Sequence, residues 1–241
     1  MSNVTQTPQP PVRAVLLDIE GTTLPVSFVH DILFPYARKA LPQLLHTHAD
    51  DPVVKAQLAE TQRLAPGIPP LRQLEAWMDA DAKVAPLKAL QGMVWAQGYA
   101  DGVLKATLFP DVVPALRCWA AAGLALAVYS SGSVAAQKLI YGHTTEGDLS
   151  SVFVGFYDLQ AGGKREADSY RHIMQDARWN PGDVLFLSDV VAELDAAAQA
   201  GLRTCQIVRP VDGTQPGTTH PVAATLAEVA ARFGLPHAEA A

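Results

Sequence analysis

Five short apolar runs without polar alternation constrain this chain more than anything else in it: VRAVLLD (12–18), LALAVYSS (124–131), VFVGFYD (152–158), DVLFLSD (183–189) and TCQIV (204–208). A strand wetted on one face alternates polar and apolar side chains, so runs of this kind belong to strands covered on both faces. Helical patterns lie between them. DVVPALRCWAAAG sets Val112, Leu116, Trp119 and Gly123 at helical spacing and closes on a glycine suited to a C-cap. READSYRHIMQDARW and VAELDAAAQAG behave likewise, the second closing on Gly201. Strand alternating with helix predicts an α/β fold, a doubly wound, Rossmann-like parallel sheet.

One interval breaks the alternation. From Val26 to Leu108 only helical periodicity is present, in FVHDILFPYARKALPQLL, PVVKAQLAETQRL, LRQLEAWMDADAK and LKALQGMVWAQGYADGVLKA. We therefore expect residues 1–25 and 109–241 to form the α/β core, with 26–108 inserted after the first strand as an all-helical subdomain. After Arg209, PVDGTQPGTTHP reads as a turn-rich loop and VAATLAEVAARFG as a last amphipathic helix.

The chain is 49% hydrophobic and 17% charged, a globular rather than disordered balance. Its net charge of −6 supplies no basic surface for a phosphate backbone, so nucleic acid is excluded as a partner, whereas a small anion held by a few local cations or a metal is not. Two cysteines, Cys118 and Cys205, make neither a disulfide framework nor a C-x-x-C pair and are read as buried thiols. No apolar run reaches the roughly 18 residues a membrane span needs. The opening MSNVTQTPQPP is polar where a signal peptide is cationic and then apolar, so a cytoplasmic protein is expected.

In open α/β sheets the ligand site lies at the carboxyl ends of the strands. The first run ends in Asp18-Ile19-Glu20-Gly21-Thr22, the second in Ser130-Ser131-Gly132-Ser133, and the fourth in Ser188-Asp189; the third leads to Gly162-Gly163-Lys164. Singly, each has an ordinary structural reading: a helix cap, a capping turn, or a solvated charge at a helix start. Collected at one sheet edge they suit phosphoryl transfer. Asp18 and Asp189 offer hard oxygens to Mg²⁺, which takes one or two carboxylates plus water and phosphate. Asp18 is also a nucleophile that needs no activating base, and Glu20 is placed to protonate a leaving oxygen and then to deprotonate water. Ser131 and the neighbouring amides suit phosphoryl oxygens, and Lys164 offsets the charge that Asp18 and phosphate bring together.

These residues resemble the haloacid dehalogenase-like hydrolases, which usually carry Asp where Glu20 stands. D-I-E-G-T itself resembles the branch of enolase-phosphatases, or acireductone synthases, of methionine salvage. The likeness extends through FVHDILFPYARKALP, FPDVVPALRCW, YSSGS, GHTTEGDLS, KREADSYRHI and LFLSDVVAELDAAAQAG. It implies a small-molecule phosphate ester as substrate, 2,3-diketo-5-methylthiopentyl-1-phosphate, which is enolised and then dephosphorylated to the acireductone 1,2-dihydroxy-3-keto-5-methylthiopentene. It further implies one Mg²⁺ per monomeric subunit. Asp18 and Asp189 would ligate it through side chains and Glu20 through its carbonyl. Asp18 and Glu20 would be catalytic, Ser130, Ser131 and Lys164 would bind substrate, and 26–108 would be a cap closing over the site.

Enolisation also needs a base beside a carbonyl. Glu20 is one candidate; His30, Tyr36 and Trp95 are others by chemistry, with helix packing explaining each equally well. Glu193 suits support of the metal site and Asp195 a solvated face. The competing expectation is a Mg²⁺-dependent phosphatase for another small phosphate ester, and a non-catalytic phospho-ligand sensor is the reading from outside enzymes.

Overall fold

The computed structural model describes residues 11–237, so the reading of the first ten residues lies outside the described residues. The apolar runs form strands β1 (Ala14–Leu17), β2 (Ala125–Tyr129), β3 (Gly155–Tyr157), β4 (Val184–Ser188) and β5 (Arg203–Ile207). A two-residue β6 (Val222–Ala223) joins them from the stretch read as turn-rich loop and helix start. The order is β3-β2-β1-β4-β5-β6, and every pairing is parallel. β1, the first strand in the chain, is thus central between β2 and β4, which is where an open sheet reverses its direction of winding and leaves a crevice.

Burial on both faces explains the unbroken apolar runs of β1, β2 and β4, whereas β3, at the sheet edge, is only half-buried. Ala14, Leu16, Ala127, Tyr129, Val184 and Phe186 pack against Tyr170, Ile173 and Met174 of α7 (Ala167–Ala177) and Leu194, Ala196 and Ala197 of α8 (Val191–Gln199). The alternate residues Val15, Leu17, Leu126, Val128, Leu185 and Leu187 are equally buried and face the other way. There α5 (Val112–Ala121) packs on β2, and α9 (Leu226–Phe233) packs on α5 and β6. Trp119 of α5 is fully buried and donates its indole N–H to the Pro236 carbonyl at 2.9 Å, tying the segment after α9 to the core of this unit.

The chain divides into two compact units. The α/β unit comprises residues up to Pro25, Leu108–Gly132 and residues from Ser150 onward. The helical unit comprises Val26–Thr107 together with Ser133–Leu149, a segment that the sequence expectation assigned to the core. That segment carries α6 (Val134–Gly142), which is capped by Ser133 and packs on α4 (Ala85–Ala100). A π-helical turn, Phe28–Leu33, precedes α1 (Phe34–Thr47), and α2 (Pro52–Leu64) starts at an Asp51 cap that accepts from the Val53 and Val54 amides. With α3 (Pro70–Asp79) these helices bury Ala37, Leu41, Val54, Leu74, Leu90 and Val94. Among the enolisation candidates, Tyr36 packs on Gly98, Trp95 donates to the Leu33 carbonyl at 3.0 Å, and His30 is exposed with its ring edge-on to Phe34.

No helix among the described residues is long and apolar enough to cross a membrane. Both cysteines are free thiols, Cys205 buried as expected, but Cys118 half-exposed on α5, which corrects its reading as a buried thiol. It lies between the inward-facing Leu116 and Trp119 of an amphipathic helix, so its own position turns partly outward.

Candidate active site

The site is built where β1 ends. The Asp18 amide still continues the ladder, donating to the Leu187 carbonyl at 2.9 Å, and the chain then turns sharply on Ile19, whose carbonyl accepts from the amides of Thr22, Thr23 and Leu24. Gly21 takes φ +70°, and a Cβ there would stand 2.5 Å from Asp189 Oδ2, so the glycine both makes the turn and admits the second carboxylate.

Asp18 is almost fully buried. Its Oδ1 accepts from the Ile19 amide at 2.8 Å and from Lys164 Nζ at 2.5 Å. Lys164 Nζ also stands 2.7 Å from Glu193 Oε2. Ser188 Oγ lies 3.2 Å from Asp18 Oδ2 and 3.0 Å from Glu193 Oε2, with one proton to give, while accepting from the Val190 amide. Asp18, Lys164, Glu193 and Ser188 therefore close a ring in which one cation faces two acids, and Asp189 stands beside it. Charge-assisted bonds of this kind are strong and directional.

Burial shapes the electrostatics. It pushes the Asp189 carboxyl up to about 7, and the nearby Asp18 charge adds to the effect. Glu193 is raised for the same two reasons in the same order. Burial opposes the charge on Lys164, but Asp18 and Glu193 outweigh it and hold the ammonium above its ordinary range. The cluster thus carries more acid than cation in a desolvated place.

Three buried polar groups brace Asp189 and the loop after Asp18. Thr22 Oγ1 accepts from the Asp189 amide at 3.1 Å, and Gln206 Nε2 donates to the Asp189 carbonyl at 3.0 Å. Arg209 reaches the Thr22 carbonyl through Nη2 at 2.9 Å and Nε at 3.2 Å, while its guanidinium is paired with Asp111.

Of the residues singled out from sequence, Asp18 and Lys164 meet through side chains, and the Asp189 carboxylate lies over Gly21 close enough for the Asp18 charge to act on it. Glu20 is half-buried on the turn, in a single bridge with Leu24. Ser130 is buried just past β2, its amide bonded to the Tyr157 carbonyl and its Oγ accepting from the Gly132 amide; Ser131 follows, half-buried. The parallel β1–β2 register carries both serines to the edge at which Asp18 lies. Glu193 was read as support for a metal, and its contacts here are with Lys164 and Ser188; Asp195 is exposed, as its reading on a solvated face has it, and pairs with His220. Gln206, Arg209 and Asp111 escaped the sequence reading, and Thr22 stood in its strand-end run without a role. Gln206 is buried within β5 and Arg209 just beyond it, where a buried polar group must find partners.

No group of three or more His, Cys, Asp or Glu among the described residues is arranged to hold a metal. Mg²⁺ asks for less, one or two carboxylates completed by carbonyl, water or phosphate oxygens. Asp18 and Asp189 are hard-oxygen donors in a cluster with excess acid, a donor set that fits it.

A family model for haloacid dehalogenase-like hydrolases matches residues 12–201. Enolase-phosphatase E1 of Gluconacetobacter diazotrophicus is 66% identical over 93% of this chain and 96% of its own length. The protein of the same name from Pseudomonas syringae pv. syringae is 52% identical over 83% of this chain and 90% of its own. Among solved structures, the UTR4 protein of Saccharomyces cerevisiae superposes with a TM-score of 0.75 at 35% identity, covering 89% of this chain and 98% of that one. CbbY of Rhodobacter sphaeroides, at 20% identity and a TM-score of 0.59, shares the fold.

Proposed function

This chain belongs to the haloacid dehalogenase-like hydrolases and, within them, to the enolase-phosphatase E1 family, and from that premise we propose that it is a Mg²⁺-dependent acireductone synthase of methionine salvage. It converts 2,3-diketo-5-methylthiopentyl-1-phosphate to the acireductone and phosphate. The observation that carries the reading is the buried ring of Asp18, Lys164, Glu193 and Ser188 with Asp189 beside it. It combines an ionisable nucleophile, a cation for phosphate charge and a second carboxylate.

Asp18 and Asp189 would hold Mg²⁺ through their side chains, with Glu20 contributing its carbonyl. Bound there, the ion would draw charge from the phosphoryl oxygens and offset the excess of acid. In the enolisation, Glu20 takes the proton from the carbon beside a carbonyl and becomes neutral, and Lys164 faces the negative charge that develops. An Asp18 oxygen then bonds to phosphorus as the bond to the ester oxygen breaks, and the proton on Glu20 passes to that leaving oxygen. Glu20, ionised again, takes a proton from water, whose oxygen displaces Asp18 from phosphorus and releases phosphate; that proton then passes to the enolate oxygen, which completes the enediol and restores the carboxylate. Ser130 and Ser131 hold the phosphoryl oxygens. Residues 1–25 and 109–241 are the catalytic core in this reading and 26–108 the cap that selects the substrate, in a cytoplasmic monomer.

The test is an assay of the diketone phosphate under low oxygen, following ultraviolet absorbance and phosphate release together. Both signals rise in the wild type and require Mg²⁺, and Asp18→Asn abolishes phosphate release. Phosphate without an absorbing enol product would make this a plain phosphatase for another small ester. Enolisation that survives Glu20→Gln would move the base elsewhere.

A further inference from the structure

The loop that presents Lys164 has only turn bonds of its own, one of them from the Glu166 amide to the Gly163 carbonyl at 3.0 Å, so most of the hold on its carbonyls around the lysine comes from side chains outside it. Three in succession are taken by side-chain hydroxyls. Tyr129, at the end of β2, donates to the Gly162 carbonyl at 2.8 Å. Ser169 and Tyr170, adjacent on the first turn of α7, donate to the carbonyls of Gly163 at 2.8 Å and Lys164 at 2.7 Å. Glycine at 162 makes this possible: its φ is +121°, and a Cβ there would fall 2.2 Å from Ser169 Oγ.

We infer that Tyr129, Ser169 and Tyr170 are positioning residues, a three-hydroxyl clamp on consecutive carbonyls that sets where the Lys164 ammonium stands between Asp18 and Glu193. A lysine side chain has four rotatable bonds, and the clamp removes motion at the root of that lever, leaving Asp18 and Glu193 to hold its tip. The clamp is rigid because its donors are. Both tyrosines are fully buried, with their rings edge-to-face at 5.4 Å, and Tyr170 is also edge-to-face with Phe186 of β4 at 5.1 Å. The Tyr129 ring also lies 5.9 Å from Lys164 Nζ, so the residue that holds the loop two positions before the lysine also faces its ammonium. Burial raises both tyrosine pKa values, which keeps the hydroxyls protonated as donors at any working pH.

The inference rests on the proposed role of Lys164 for its effect on rate, but not for its geometry, and the test separates the two. Tyr170→Phe keeps the ring and removes only the donor. We expect kcat for phosphate release to fall by about tenfold to a hundredfold, with KM changing less. In a Lys164→Met background the same substitution adds no further loss, because a residue that acts through another has no effect in its absence. Separately, labelling by an amine-acylating reagent, mapped by mass spectrometry, rises several-fold at Lys164 and at no other lysine. Ser169→Ala repeats both results if Tyr170→Phe folds poorly. Equal losses in the two backgrounds, or unchanged labelling in both variants, would overturn the clamp. Full activity in Lys164→Met would overturn the role of the lysine, with labelling still deciding the clamp. Labelling likewise decides where the residual activity of Lys164→Met is below detection.

Discussion

Arg209 and Asp111 form a two-bonded ion pair, Nη1 to Oδ1 at 2.9 Å and Nη2 to Oδ2 at 3.1 Å. The same guanidinium donates to the carbonyls of Thr22 and Ala224 and lies 4.2 Å from the Phe109 ring centroid. Asp111 Oδ2 in turn accepts from the Leu226 amide at the start of α9. One buried cation therefore joins the loop after Asp18, the segment entering α5 and the C-terminal helix.

Arg209→Met would leave the Thr22 and Ala224 carbonyls without the guanidinium and Asp111 with the Leu226 amide but no cation. Removing one partner of a buried pair costs on the order of 3–5 kcal/mol. Urea unfolding should reveal a loss of that order. Arg209→Lys should recover only part of it, since an ammonium lacks the planar fork that meets a carboxylate with two parallel bonds.

Gly21→Ala should damage activity more than stability. The left-handed φ of +70° costs an alanine roughly 1–2 kcal/mol. The added methyl must also displace Asp189, whose Oδ2 would be 2.5 Å away. A carboxylate shifted by about an ångström lowers rates by around a hundredfold. Measuring kcat together with the Mg²⁺ concentration for half-maximal activity would check this, and a variant with near-normal values of both would refute it.

Metal-free protein should lose stability as pH rises from about 4 to about 7. The Asp189 carboxyl has an ordinary value of 3.8 and is raised to about 7 in the fold, first by burial and then by Asp18. Between those values the folded state binds more protons than the unfolded one. Stability is then highest below the lower value and declines through the upper one. Asp189→Asn should flatten this limb of the Tm-against-pH curve. An unchanged slope would mean that Asp189 titrates normally.

In the helical unit, Gly98→Ala should destabilise through one contact. Its Cβ would meet the Tyr36 ring at 2.7 Å, closer than packed atoms approach. Overpacking of this kind costs about 1–3 kcal/mol. Tyr36→Leu in the same chain should relieve part of the loss, a non-additivity that chemical denaturation of the two single variants and the double variant would measure.

β1, β2 and β4 were legible because burial on both faces leaves a local mark, an apolar run without alternation; the half-buried edge strand β3 and the mixed β5 carry that mark less fully. The helices of Val26–Thr107 were legible for the same reason, their periodicity being a property of neighbours in sequence. Harder to read were the features with little local pattern. β6 is two residues long and follows a turn-rich stretch, so only its partner β5 defines it. The π-helical turn at Phe28–Leu33 has the composition of an ordinary helix. The grouping of Ser133–Leu149 with the helical unit rests on the packing of α6 against α4.

The site divides in the same way. The chain's own order places Asp18, Ser130 and Asp189 at the ends of apolar runs, so sequence determines which residues reach the carboxyl edge of a parallel sheet. Which of them meet is another matter. Asp18 and Lys164 are 146 positions apart, and they touch because β1 lies centrally in the sheet and three hydroxyls hold the loop after β3. Glu193 facing Lys164, and Arg209 reaching Thr22, were likewise decided by tertiary structure. Apolar burial writes a period into the chain because every element must satisfy it along its length, whereas an ion pair needs only two atoms in one place and leaves no period to read.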